Sequence, residues 1–155
     1  EGFVSNVTSM LNAMNGLTTL VDDNETEIQR DILLMTTSKN KAFEGKNVSN
    51  YDLSNLHFQY PAINFNMELA SAFQEKYLIK FGTFPNKYAI RGFDLTMDLL
   101  LRLSRFGTLY ERATDIQTSY IGNKFKYTLQ PNGGYKNEAG FILKYDDLEI
   151  IKVQD

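Results

Sequence analysis

Asp94 and Asp98 stand four residues apart in a stretch of helical periodicity, so their carboxylates share one helix face. Paired carboxylates suggest glycoside hydrolysis, where one acid protonates the leaving oxygen and the other attacks or activates water. That chemistry needs the two groups opposed across a cleft. Neighbours on one helix do not supply this, so the pair is not read as catalytic. The single histidine, His57, lies between Leu56 and Phe58 and has no partner at metal-ligand spacing. It reads as a structural or surface residue, and Asp22-Asp23 and Asp146-Asp147 read as loop and hairpin acids. Cysteine is absent, which removes disulfides, thiolate metal sites and thiol nucleophiles together. Gly133-Gly134 is no phosphate loop, because no helix follows and the G-x-x-x-x-G-K-[ST] pattern is missing. Neither G-x-S-x-G nor H-E-x-x-H occurs. Together these residues point to a non-enzymatic protein with no cofactor and no metal.

The elements that must position such groups belong to a folded chain. It has 155 residues, 43% hydrophobic, 23% charged and 13% aromatic, which is a globular composition of one domain's length. A net charge of −3 shows no basic excess and argues against a nucleic-acid partner. No apolar run approaches the ~18 residues of a membrane span. The chain opens Glu1-Gly2-Phe3 without an initiator methionine or signal peptide, and is expected to be a processed or excised piece.

Val4, Val7, Leu11 and Met14 form one apolar stripe, so residues 4–15 are predicted as a helix that Gly16 caps. Ile32-Leu33-Leu34-Met35 is a short continuous apolar run and reads as a buried parallel strand. Leu56, Phe58 and Tyr60 alternate with His57 and Gln59 in a strand pattern ending at Pro61. A second helix is expected from an N-cap at Asn66, burying Leu69, Ala70, Phe73, Tyr77 and Phe81 and ending at Gly82. A third spans about 87–106, stopped by Gly107. Ala89, Phe93, Leu99, Leu100, Leu103 and Phe106 fill it, and its near-uniform apolar surface predicts a place at the centre of the core. A short helix is expected over 109–114. The tail reads as β: Phe125 to Leu129 alternates, Pro131-Asn132-Gly133-Gly134 is a turn, and the runs 141–145 and 148–153 are joined by Asp146-Asp147 in a tight hairpin. The order predicts an α/β fold with an antiparallel appendix.

A family pattern runs through Phe73-Gln74-Glu75-Lys76-Tyr77, Lys80-Phe81-Gly82-Thr83-Phe84-Pro85 and Tyr88-Ala89-Ile90-Arg91-Gly92-Phe93-Asp94. It resembles the type 1 periplasmic-binding-fold proteins, the branched-chain amino-acid receptor class. Phe125-Lys126-Tyr127, Gly133 to Asn137 and Gly140 to Tyr145 resemble one subgroup, in which the module follows N-terminal LysM repeats in Bacteroidetes-type envelope proteins that bind peptidoglycan. Phe81 and Phe93 depart from the pattern, which often has tyrosine there. The resemblance covers residues 28–153. It implies a Rossmann-like lobe of a type 1 periplasmic binding fold with a C-terminal antiparallel β hairpin. Residues 1–155 would then form a single α/β domain, mainly the C-terminal lobe and returning strands of a larger two-lobe module.

The same resemblance implies a ligand in the inter-lobe cleft. Thr36, Thr37 and Ser38 follow the expected parallel strand, where their hydroxyls would bind a carboxylate or sugar. Tyr60 ends the next strand, where its ring would stack on a ligand. The plainer alternatives are a turn capped by hydroxyls and a ring packed at a strand end. The function expected is a non-enzymatic binding or sensing module of the periplasm or cell envelope. Its ligand would be a small molecule, amino acid or peptidoglycan-derived muropeptide, with peptidoglycan held through LysM repeats outside this chain. The alternatives are a structural scaffold that forms a homodimer through lobe helices, and a carboxylate-dependent wall hydrolase.

Overall fold

The computed structural model describes residues 2–65, 71–107 and 116–153. In chain order its elements are α1 (Gly2–Gly16), β1 (Thr19–Val21), β2 (Glu27–Gln29), a 3-10 turn (Lys41–Glu44), α2 (Asn50–Asn55), β3 (Gln59–Ala62), α3 (Ser71–Phe81) and α4 (Lys87–Phe106). The tail adds β4 (Thr118–Ser119), β5 (Lys124–Phe125), β6 (Tyr127–Leu129), β7 (Tyr135–Asn137), β8 (Phe141–Asp146) and β9 (Glu149–Lys152). The chain divides into two compact units, one of residues 1–62 with 142–155, the other of residues 63–141.

The first unit has an ordinary apolar core. Val7 and Leu11 of α1 are buried, with Leu34, Phe43, Leu53, Leu56, Phe58, Tyr60, Leu143 and Tyr145. Helix α1 ends at Gly16, as the spacing predicts, but side chains close it. Asn15 Nδ2 donates to the Leu11 carbonyl at 3.0 Å and the Thr18 hydroxyl to the Asn15 carbonyl at 2.7 Å. The acidic loop at 22–25 is the turn of an unexpected β1–β2 hairpin. The Asp22 carboxylate accepts from the amides of Asn24 and Thr26, both at 2.8 Å, and these donors hold its pKa below the ordinary value.

The Rossmann-like lobe does not form. The described sheets are small and separate: β1-β2, β3-β8-β9, β4-β5 and β6-β7. The expected strand at Ile32–Met35 reduces to one isolated parallel bridge, Met35 with Gln59. Only Leu34 of the run is buried, while Leu33 and Met35 are 54% and 58% exposed. A parallel core strand needs cover on both faces, and this run is covered at one residue. The C-terminal antiparallel hairpin does form. Its register pairs Asp146 with Glu149, so its loop is Asp147-Leu148, one residue later than expected.

In the second unit, α4 has the limits the sequence predicts and the opposite orientation. Asn86 Oδ1 accepts from the amides of Tyr88 and Ala89 at 3.0 Å, and Gly107, at φ 72°, donates its amide to the Leu103 carbonyl. Its buried residues are Ile90, Asp94, Asp98 and Arg102, spaced by four along one stripe. Phe93, Leu95, Leu100, Leu101 and Leu103 are exposed instead of filling the core. The expected aromatic row of α3 stacks, with ring centroids 5.7 Å apart for Phe73–Tyr77 and 4.5 Å for Tyr77–Phe81. It packs on α4 through Phe73–Phe93 at 4.4 Å. The row is only partly covered, and Phe81 is exposed. Asn66, Leu69, Ala70 and the expected helix at 109–114 lie outside the described residues.

The polar stripe of α4 organises the strands that follow it. Asp94 accepts from the amides of Ile121 (3.2 Å) and Gly122 (2.8 Å) and from Asn123 Nδ2 (2.9 Å). Asp98 pairs with Arg102 Nε at 2.8 Å and also accepts from the hydroxyls of Thr118 and Tyr120. Arg102 donates onward to the Ile116 carbonyl at 3.0 Å, and its guanidinium lies 5.0 Å from the centroid of the Tyr127 ring. The Tyr127 hydroxyl is buried near Asp98 without a hydrogen bond of good geometry. Burial first, and then the Asp98 charge, push its pKa up to about 12.

Two outcomes follow from this network. Asp98→Ala leaves Arg102 buried without its carboxylate, so urea unfolding should show a loss of about 3–5 kcal/mol. Tyr127 keeps its proton longer in the folded chain than in the unfolded one. Stability therefore holds below pH 10 and falls as pH rises from the ordinary tyrosine value of 10.0 towards about 12. Alkaline titration of the tyrosinate absorbance should show a late phase that Tyr127→Phe removes.

Candidate functional site

The residues singled out from the sequence are brought together only in part. The Thr36 amide donates to the Gln59 carbonyl at 3.1 Å, and the Thr36 hydroxyl is buried without a hydrogen-bond partner. Thr37 and Ser38 are exposed. Tyr60 is a core ring: it stacks on Phe58 at 5.5 Å, and Phe58 on Phe43 at 4.7 Å. The Lys39 ammonium lies 5.6 Å from the Tyr60 centroid and 5.4 Å from that of Tyr145, and pairs with Glu44 at 3.3 Å. Burial opposes the Lys39 charge, yet its pKa is raised, because Tyr145, Tyr60 and Glu44 outweigh burial. Burial raises the Tyr60 pKa, with the Lys39 charge acting against it. Asp94 and Asp98 are fully buried and hold the chain in place, as described above.

A different place in the first unit gathers polar side chains around open space. A cavity of about 470 Å³ lies between α2 and the β8–β9 hairpin, lined by Tyr51, Ser54, Asn55, His57, Asp146, Asp147 and Leu148. Tyr51 is 68% exposed, so its ring offers a free face. His57 Nε2 is 2.9 Å from Asp31, and Asp146 pairs with Lys144 at 3.0 Å. Asn55 Nδ2 is used on Asn15 and Thr18. The set offers carboxylate, imidazole and amide groups beside an aromatic plate, which suits hydrogen bonding to a polar ligand.

The local sequence explains how this lining is held. Helix α2 starts at Ser49, whose hydroxyl accepts the Asp52 amide at 3.1 Å. It ends in a Schellman motif: the Phe58 amide donates to the Leu53 carbonyl and the His57 amide to the Ser54 carbonyl, both at 2.9 Å. That motif sets His57 at φ 43°, a position that glycine usually fills. Phe58 and Leu53, the positions that make the apolar contact of this motif, are both buried. Across the cavity, the two-residue loop has φ 44° at Asp147 and 71° at Leu148. Two positive φ values define a type I′ hairpin, which favours Asn-Gly or Asp-Gly. The Ser54 hydroxyl accepts the Leu148 amide at 3.0 Å and ties this loop to α2.

Three of the four left-handed non-glycine residues described therefore line one cavity. The sequence reading passed over His57 and the hairpin acids as structural. The usable signal was a bulky or polar residue where the turn chemistry wants glycine. A second, more apolar cavity of about 310 Å³ lies in the other unit between Leu101, Phe106, Ile116 and Tyr120. Of its polar lining, Arg102, Thr118 and Tyr120 are already engaged with Asp98, and Ser104 and Arg105 complete it.

No family model, curated protein or solved structure matches the chain.

Left-handed backbone at residues with a Cβ costs about 1–2 kcal/mol per position. His57→Gly and Leu148→Gly should each raise stability to urea by about 1 kcal/mol, after the larger entropy of the unfolded glycine chain is allowed for. Unchanged or lower stability in both would show that these conformations carry no strain.

Proposed function

We propose that this chain is a non-enzymatic binding module that takes a small, polar ligand in the cavity between α2 and the β8–β9 hairpin. The observation that carries the reading is the gathering of Tyr51, Asn55, His57, Asp146 and Asp147 on one cavity, with His57 and Leu148 in left-handed backbone at its rim. Strained backbone of this kind clusters at ligand sites, which supports the reading. Tyr51 supplies a flat apolar face for a ring, and Asp146, Asp147 and the Asn55 carbonyl oxygen accept hydrogen bonds from hydroxyl, amide or ammonium groups. The two carboxylates repel a ligand whose charge is purely negative. A peptidoglycan-derived fragment, an amino sugar or a muropeptide with its amide donors, fits this chemistry. The envelope setting implied by the receptor resemblance, with peptidoglycan held through LysM repeats elsewhere, belongs to the same proposal.

A thermal-shift titration with N-acetylglucosamine, muramyl dipeptide and free amino acids tests it. A ligand at ~100 times its Kd should stabilise the folded chain by about 2.7 kcal/mol. Tyr51→Ala and Asp147→Ala should abolish that shift and leave the unliganded protein folded, because both side chains are exposed. No shift with any of the compounds, or a shift that both variants retain, overturns the reading.

A further inference from the structure

The corner between α3 and α4 is built unlike the rest of the surface. Gly82, at φ 71°, donates its amide to the Leu78 carbonyl and ends α3, and Asn86 caps α4 four residues later. Every residue from Leu78 to Tyr88 is exposed except Pro85, which is half-buried. Three rings stand out on this bend: Phe81 at 56%, Phe84 at 67% and Tyr88 at 71% exposed. Lys76, Lys80, Lys87 and Arg91 stand along the same stretch, all exposed, and no Asp or Glu occurs between residues 76 and 93, with exposed Glu75 just before it. Four positive charges and no negative ones mark this stretch, in a chain whose net charge is −3. Lys80 Nζ lies 5.4 Å from the Phe81 centroid, and Lys87 Nζ 5.2 Å from that of Tyr88.

We propose that this corner docks on an anionic lipid bilayer, its three rings entering the interfacial layer and its cations meeting the headgroup phosphates. Rings that go into the acyl boundary and lysines that extend to the phosphates are the two parts of an interfacial anchor. The cations supply the preference for negative lipid. The bend presents its rings on outward-facing residues, whereas an amphipathic partner helix requires a groove. Nucleic-acid bases require an open ring face, and a lysine already stands over the Phe81 and Tyr88 rings. The cavity lined by Tyr51 and Asp147 plays no part in this contact.

Flotation of the whole chain with vesicles tests the proposal. It should rise with vesicles of phosphatidylglycerol and phosphatidylcholine in equal parts, and stay down with pure phosphatidylcholine. Each cation near the surface is worth about fivefold in partitioning, so Lys80→Gln with Lys87→Gln should lower it at least about tenfold. Phe84→Ser with Tyr88→Ser should also release the protein from vesicles. All four side chains are exposed, so circular dichroism and thermal unfolding of both variants should match the parent. Failure to float with the anionic vesicles overturns the proposal. So does equal flotation with neutral ones, or flotation unchanged in both variants. Displacement of the chain from vesicles by single-stranded RNA that binds more tightly, and loses that binding in the same variants, overturns it in favour of a nucleic-acid surface.

Discussion

A charge taken out of water has to find its partners inside the protein, and α4 buries three of them. Asp94, Asp98 and Arg102 are at most 4% exposed and lie on one stripe of the helix. An unpaired carboxylate at such depth carries a penalty of several kcal/mol. The chain that follows α4 supplies two amides and an asparagine for Asp94 and two hydroxyls for Asp98, and Arg102 on α4 itself adds its guanidinium to Asp98. This requirement pins residues 116–125 against the helix. It also fixes which way α4 faces. A helix that turns its charges inward must turn its leucines outward, so Leu95, Leu100 and Leu103 stay exposed, and the buried apolar side chains of the second unit among the described residues are Ile90, Phe125 and Phe141.

That inversion explains where the sequence was legible. Local chemistry marks ends well: Gly16, Gly82 and Gly107 end their helices where spacing predicts. The buried face is not a local property. Nothing within Lys87–Phe106 announces that Asp94 and Asp98 will be met by partners some 20 to 30 residues on, so the hydrophobic rule chose the leucines. The Ile32–Met35 run fails for a related reason. Its composition suits a two-sided strand, but strand formation depends on neighbours on both edges and both faces. Here a single bridge to Gln59 is the extent of the pairing. The β8–β9 hairpin was visible, and its loop was misplaced because Asp147-Leu148 is an unusual pair for a turn with two positive φ values.

The candidate cavity was hidden by a different habit of reading. Thr36, Thr37, Ser38 and Tyr60 came forward through a family pattern, and the structure makes Tyr60 part of the Phe43–Phe58 stack. The residues around the cavity belong to no motif. What distinguishes His57 and Leu148 is a conflict between side chain and backbone, visible only once the Schellman motif and the type I′ turn are recognised as such. A sequence in which local preferences agree almost everywhere makes such conflicts informative.

These conflicts also bear on how well the cavity can hold a ligand. Its two walls are fastened to the same short helix: the Ser54 carbonyl accepts the His57 amide, and the Ser54 hydroxyl accepts the Leu148 amide. One residue thus fixes both sides, and the Phe58 amide's bond to the Leu53 carbonyl, between two buried residues, closes the turn. A loop free to move would have to be ordered at the moment of binding, at a cost in affinity. A loop strained but already tethered meets that cost during folding. Replacing His57 or Asp147 with glycine would relieve left-handed backbone and remove a polar group in one step, so under the proposed reading stability and recognition are set against each other by the same backbone angles.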